Sequence, residues 1–224
     1  MNTENSRREF IKKTALGTAG LSMAFSAKSY SSIIGANDRV NVGIVGFASR
    51  TRSSLIPSFY DHAEKQNFRI TAVSDIWNRR RDECVDYMKE RFDTKIKTYR
   101  NNEELYDKGK VDAVIIATAD FQHALHTKEA VEGGCDVYVE KPFAETMEDN
   151  RAAREAVERT GKIVQIGSQR RSGANYHAAN DFIRSGKFGD IVMVEMTWNV
   201  NQPGRWRRPD EVSRIREEDT DWKR

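Results

Sequence analysis

The stretch "RVNVGIVGFASRT", residues 39–51, decides the fold. Val40, Val42, Ile44 and Val45 make a short apolar run rich in β-branched residues, and Gly46 turns it into a segment that suits a helix start. Similar runs recur at "FRITAVSD" (68–75), "VDAVIIAT" (111–118), "CDVYVE" (135–140) and "KIVQIGS" (162–168), with "IKTY" (96–99) as a short further strand. Helix-like segments separate them, at about 53–65, 79–91, 102–108, 122–132 and 147–160. Continuous apolar strands alternating with amphipathic helices predict an α/β fold, a doubly wound parallel sheet covered on both faces. Such a sheet of the dinucleotide-binding kind takes its ligand at the carboxyl ends of the strands.

The turn after the first strand is the natural place for a phosphate. The usual fingerprint is G-x-G-x-x-G, whose glycines let backbone N–H groups approach a pyrophosphate. Here the positions read Gly46, Ala48 and Thr51, so two glycines are replaced. Ala48 adds only a methyl group, and Ser49, Arg50 and Thr51 offer donors at a helix start. Without other support the same residues suit a plain strand-to-helix turn. Asp75 adds support, because an acidic residue at the end of the second strand accepts hydrogen bonds from an adenosine ribose. That carboxylate favours NAD over NADP, whereas Arg79, Arg80 and Arg81 just beyond it suit a 2′-phosphate or a solvated helix start.

A second pointer is "CDVYVEKPFAE" (135–145), where an apolar strand ends in a Glu-Lys pair and is stopped by Pro142. Charges at the end of a buried strand are costly unless something holds them. Pro142 keeps Lys141 out of helical geometry and projects it from the strand end. A lysine there can take a hydroxyl proton or face a developing oxyanion, with partial burial easing its deprotonation. Glu140 is placed to contact a cofactor ribose or to orient that lysine. The plain alternative is a surface ion pair capped by proline.

Thr118, His123 and Gln169 fall at the same predicted edge and join Gly46, Ala48, Ser49, Arg50, Asp75, Glu140 and Lys141 as candidate cofactor contacts, with packing under the cofactor as the alternative for His123. Lys141 and His177 are the candidate catalytic residues, although His177 and its neighbour Tyr176 suit a helix-start packing role equally well. His123 and His126 are three residues apart with no third ligand in view, so no metal is expected and His126 suits a surface or packing role.

Composition narrows the classes. Of 224 residues, 38% are hydrophobic and 32% charged, with a net charge of only +3, so the overall balance gives no nucleic-acid or membrane-surface role. The two cysteines, Cys84 and Cys135, are far apart and suggest neither a zinc site nor a disulfide framework. Residues 1–36 have a basic start with paired Arg7-Arg8, a mildly apolar middle and a Ser-rich exit. That order resembles a twin-arginine export signal and linker, which implies the twin-arginine machinery as a partner and a periplasmic or secreted protein with no stable membrane anchor.

Taken together, the first strand and turn, "ATADFQHALHTKEAVEGGCDVYVEKPFA" and "GKIVQIGSQRR" resemble the Gfo/Idh/MocA oxidoreductase family. The resemblance implies a cis bond between Lys141 and Pro142 and an NAD(P)-dependent hydride transfer involving a small sugar or cyclitol. A glycosidase that uses NAD transiently on the same scaffold is one alternative, and a non-catalytic nucleotide-binding fragment, suggested by Ala48 and Thr51, is another. It also divides the chain into a dinucleotide-binding domain over 37–168 and the beginning of an α+β substrate domain over 169–224. "DIVMVEMTWNV" (190–200) would be the first strand of that second domain. The family's downstream aspartate-histidine motif has no counterpart here, so the chain reads as truncated, with homo-oligomers expected of a full-length form.

Overall fold

The computed structural model describes residues 39–197, 201 and 208–221, so the expected export signal lies outside the described residues. Six strands form in the order the sequence predicts: β1 (Val40–Val45), β2 (Phe68–Ser74), β3 (Lys97–Tyr99), β4 (Ala113–Ile116), β5 (Asp136–Glu140) and β6 (Val164–Gly167). They make one sheet in the order β3-β2-β1-β4-β5-β6, parallel at every pairing. The order reverses between β1 and β4, which opens a crevice at their carboxyl ends.

Helices cover both faces, as continuous apolar strands require. Helix α1 (Ile56–Tyr60) continues from one widened turn at Thr51–Leu55, and α2 (Asn78–Phe92) follows β2. Leu55, Ile56, Cys84 and Met88 from this pair of helices pack on Val42, Ile44, Ile70 and Val73. On the other face lie α3 (Asn102–Lys108), α4 (His123–Glu132) and α5 (Met147–Thr160). Leu105, Ala130, Val131 and Ala156 from these three pack on Val45, Val114, Ile116, Val137 and Val139. Each fully buried Ile or Val contributes roughly 1.5–3 kcal/mol, so the two cores hold the strand ends rigidly in place. Helix starts follow local chemistry. Asn101 Oδ1 accepts from Glu104 N–H at 2.9 Å to begin α3, and Thr146 Oγ1 accepts from Asp149 N–H at 3.1 Å to begin α5.

After β6, helix α6 (Ala174–Arg184) forms with no buried residue. The strand expected at 190–200 does not form in its described part: residues 190–197 are irregular, with Val192 93% and Met196 91% exposed. A strand needs a partner ladder, and among the described residues β6 pairs with β5 alone while nothing pairs with 190–197. A short helix α7 (Pro209–Val212) then opens a segment that returns to the sheet. Asp221 N–H donates to Ile76 O at 2.9 Å, and Thr220 bridges Trp77 in antiparallel fashion. No helix among the described residues is long and apolar enough to cross a membrane.

Candidate functional site

A cavity of about 1000 Å³ lies at the carboxyl ends of β1, β2 and β4, with Gly46, Ala48, Asp75, Trp77, Thr118 and His126 among its walls. Its floor is the glycine turn. Gly46 takes φ +87°, its N–H donates to Ser74 O at 2.9 Å, and the buried Thr51 hydroxyl donates back to Gly46 O at 2.9 Å. Thr51, at the position of the third fingerprint glycine, therefore fastens the turn from beneath. The helix begins as Arg52 N–H donates to Ala48 O at 2.9 Å, so the N–H groups just before Arg52 lack an intrahelical acceptor.

Asp75 stands where an adenosine ribose is expected. Its Oδ2 accepts from Phe47 N–H and its Oδ1 from Trp77 N–H, both at 2.9 Å, which ties the β2 end to the glycine turn. Burial pushes this carboxyl above its usual value, against the pull of the two N–H groups, Arg80 and Arg81. Each carboxylate oxygen retains a second lone pair for a ligand hydroxyl.

The charges at the end of β5 are held as the sequence demanded. Glu140 is buried and accepts from Arg50 Nε at 2.9 Å and Nη2 at 2.7 Å. Its other oxygen accepts Lys141 N–H at 3.3 Å. Arg50 thus links the glycine turn to the Glu-Lys-Pro turn, and its guanidinium is committed to a carboxylate. The Lys141–Pro142 bond is cis, as the family resemblance implies. Lys141 is exposed, contrary to the expected partial burial, because only its backbone is pinned while the side chain leaves the strand end into solvent.

The two histidines take different places. His123, a candidate cofactor contact, is 1% exposed and does not line the cavity. Its Nδ1 lies 2.7 Å from Pro142 O, and a carbonyl can only accept, so Nδ1 carries the proton and the ring props the Glu-Lys-Pro turn from below. His126, read from sequence as a packing residue, does line the cavity, with Nδ1 at 3.0 Å from Thr118 Oγ1. Ser49 is exposed and its hydroxyl oxygen accepts from Arg208 Nη1 at 2.9 Å. Gln169 and His177 are exposed, neither lines the cavity, and neither makes a side-chain hydrogen bond among the described residues. Asn102 accepts from Ser74 Oγ at 2.7 Å and joins the cavity wall, and an Asn after a short strand is its only sequence signal.

Burial, and then the neighbouring His123, pull the His126 imidazole down to about 4 from 6.5. The folded protein therefore keeps His126 neutral between those values, while the unfolded chain binds the extra proton. Stability should fall as pH is lowered through the window from 6.5 to about 4, at about 1.4 kcal/mol per pH unit and by ~3 kcal/mol in all. His126→Asn, which keeps an acceptor for Thr118, should flatten that part of the profile. Urea denaturation across the window checks this; an unchanged slope in the variant would refute it.

Known proteins resemble this chain in sequence and fold. The profile of the Gfo/Idh/MocA family, described as "Oxidoreductase family, NAD-binding Rossmann fold", matches residues 40–168. A Shewanella baltica protein named "Glycosyl hydrolase family 109 protein" is 24% identical over 227 residues, covering 90% of this chain and 50% of its own. A scyllo-inositol 2-dehydrogenase (NAD(+)) of Bacillus subtilis is 40% identical over 90 residues, 40% of this chain and 26% of that protein. Among solved structures, an oxidoreductase from Thermotoga maritima has a TM-score of 0.60 at 25% identity, covering 68% of this chain and 45% of its own. The WlbA dehydrogenase from Bordetella pertussis, solved with NADH and UDP-GlcNAcA, shares the fold with a TM-score of 0.58 at 22% identity, covering 67% and 43%. The chain spans about half the length of the first curated relatives it matches.

Proposed function

Since the chain belongs to the Gfo/Idh/MocA oxidoreductase family, with its NAD-binding Rossmann fold, we propose that it binds NAD in this cavity and acts in hydride transfer at a hydroxyl of a sugar or cyclitol. The carrying observation is the cavity itself, floored by the Gly46 turn and walled by Asp75 at the switch between β1 and β4. The residues fit a dinucleotide. The positive φ of Gly46 and the helix start beyond Ala48 suit a pyrophosphate, and the remaining Asp75 lone pairs suit ribose hydroxyls. Bound NAD supplies the hydride acceptor. The protein's part is to hold a lysine at the β5 end, with Glu140 and Pro142 fixed from either side by Arg50 and His123.

Titration calorimetry of the purified chain with NAD+ is expected to show saturable binding of one nucleotide per chain, and no saturable heat would sink the proposal. A second reading, an NAD-dependent glycosidase, is favoured by the name of relatives matched over 90% of this chain. Steady NADH production from polyols supports the first reading, whereas cleavage of aryl glycosides without net NADH supports the second. We read residues 1–36 as a twin-arginine export signal and linker, which cell fractionation tests by the protein's absence from the cytoplasm. The apolar side chains exposed over 191–196 support assigning residues after 168 to a larger second domain.

A further inference from the structure

Three arginines follow Asp75, and their contacts divide them sharply. Arg79 Nε donates to Glu83 Oε1 at 2.8 Å, and Arg81 Nη1 donates to the Asp75 backbone carbonyl at 2.6 Å. Arg80 is the one of the three that lines the cavity. Its Nη1 donates to Glu83 Oε2 at 2.6 Å and its Nη2 to Glu211 Oε2 at 2.7 Å, with the guanidinium carbon 5.2 Å from the centre of the Trp77 ring. Both terminal nitrogens of the cavity arginine thus end on carboxylates.

Glu83 lies three residues along the same helix, but Glu211 comes from the returning segment, 131 residues away in sequence and outside the family-matched region. Glu211 is itself positioned. Its Oε1 accepts from Arg208 Nη1 at 3.3 Å, and the same nitrogen donates to Ser49 Oγ on the glycine turn at 2.9 Å. Arg208 and Glu211 therefore link Ser49 on the glycine turn to Arg80 beyond the β2 end. Nearby, Asn78 donates to Asp219 at 3.0 Å and Arg100 pairs with Asp221 at 3.2 Å, anchoring the far end of the segment.

We propose that Glu211 sets the nucleotide preference: by holding Arg80, it withholds the guanidinium from a 2′-phosphate and selects the dinucleotide with a free 2′-hydroxyl. This rests on the proposed nucleotide site and goes beyond it. An arginine beside the ribose accommodates a 2′-phosphate when its donors are available. Here the two terminal nitrogens of Arg80 each already meet a carboxylate, with the Asp75 carboxyl adjacent, so an incoming phosphate must displace Glu83 or Glu211 to reach them and meets the Asp75 charge beside it. A ribose hydroxyl carries no charge and finds its acceptor in Asp75.

Calorimetric titration of the full chain with NAD+ and with NADP+ tests this. The unaltered protein should bind NAD+ at least about tenfold more tightly. Glu211→Gln keeps size and shape at a partly exposed position. It should tighten NADP+ by about tenfold, the worth of one charge-assisted contact, and shift NAD+ by less than about twofold. Adding Arg80→Gln should abolish that gain. An unchanged NADP+ affinity in Glu211→Gln, or a gain that survives removal of Arg80, overturns the inference alone. So does equal binding of both nucleotides by the unaltered protein. Failure of both nucleotides to bind the unaltered protein overturns the nucleotide site and this inference with it.

Discussion

Lys141→Ala is expected to lower turnover by about 10²–10⁴-fold, the usual worth of a positioned proton-transfer group, while changing NAD+ affinity by no more than about threefold. The asymmetry follows from position. Lys141 does not line the cavity that would hold the adenosine half, so removing its side chain leaves Gly46 and Asp75 untouched. Its backbone is fixed by Glu140 and by the Pro142 carbonyl on His123, while its side chain makes no ion pair among the described residues. A lysine so placed can take the proton of a substrate hydroxyl as the free amine, or as the ammonium donate to the oxygen of a forming carbonyl. Lys141→Arg separates those two roles: arginine keeps the charge but does not give up its proton near neutral pH. A proton-transfer role predicts a loss in Lys141→Arg close to that of alanine, whereas a purely electrostatic role predicts substantial recovery. Steady-state rates on a polyol panel, paired with NAD+ titrations, measure both quantities. Turnover near that of the unaltered protein in Lys141→Ala would remove the residue from the mechanism.

The sheet was legible because its signals are local. Val40 to Val45 and Ala113 to Ile116 are short runs rich in β-branched residues and bounded by turn residues, whereas the edge strand Lys97–Tyr99 carries only Thr98 of that kind. Gly46, Asp75 and the Glu-Lys-Pro turn were legible for a related reason, since each sits at a strand end where the fold puts ligands. What was not legible depends on something distant. Whether His123 or His126 faces the cavity is decided by the rotation of α4 against β4 and β5, which three-residue spacing does not fix. The Arg50–Glu140 pair joins residues 90 apart, and no periodicity announces it. Glu211, Asp219 and Asp221 of the returning segment meet Arg80, Asn78 and Arg100, a complementarity visible only once both stretches are placed. The run at 190–200 carries a strand pattern, but pattern supplies only one side of a ladder. Residues 190–197 meet no partner among the described residues, so they form none.

Gly46→Ala is expected to destabilise the fold by about 2–5 kcal/mol, combining a left-handed backbone penalty with a steric one, and to weaken NAD+ binding at least about tenfold. At φ +87° a side chain is strained whatever the space, and here there is no space. A Cβ would stand 2.8 Å from Thr118 Cγ2, 3.1 Å from the Ala117 carbonyl oxygen and 3.3 Å from its carbon. Two of those three neighbours are backbone, so relief requires parting the β1 turn from the end of β4. The movement would pull on Gly46 N–H···Ser74 O and on the Thr51 hydroxyl below, and with them on Phe47 N–H, which Asp75 holds. Floor and wall of the cavity would shift together. Gly161 supplies the control, because it also has a positive φ of 66° but a Cβ there would meet nothing within 4 Å. Gly161→Ala should therefore carry only the backbone part, about 1 kcal/mol, and leave NAD+ binding alone. Urea denaturation and NAD+ titration of both variants separate strain from crowding. If Gly46→Ala matches Gly161→Ala in stability and in NAD+ affinity, the glycine turn is not the floor of a nucleotide site.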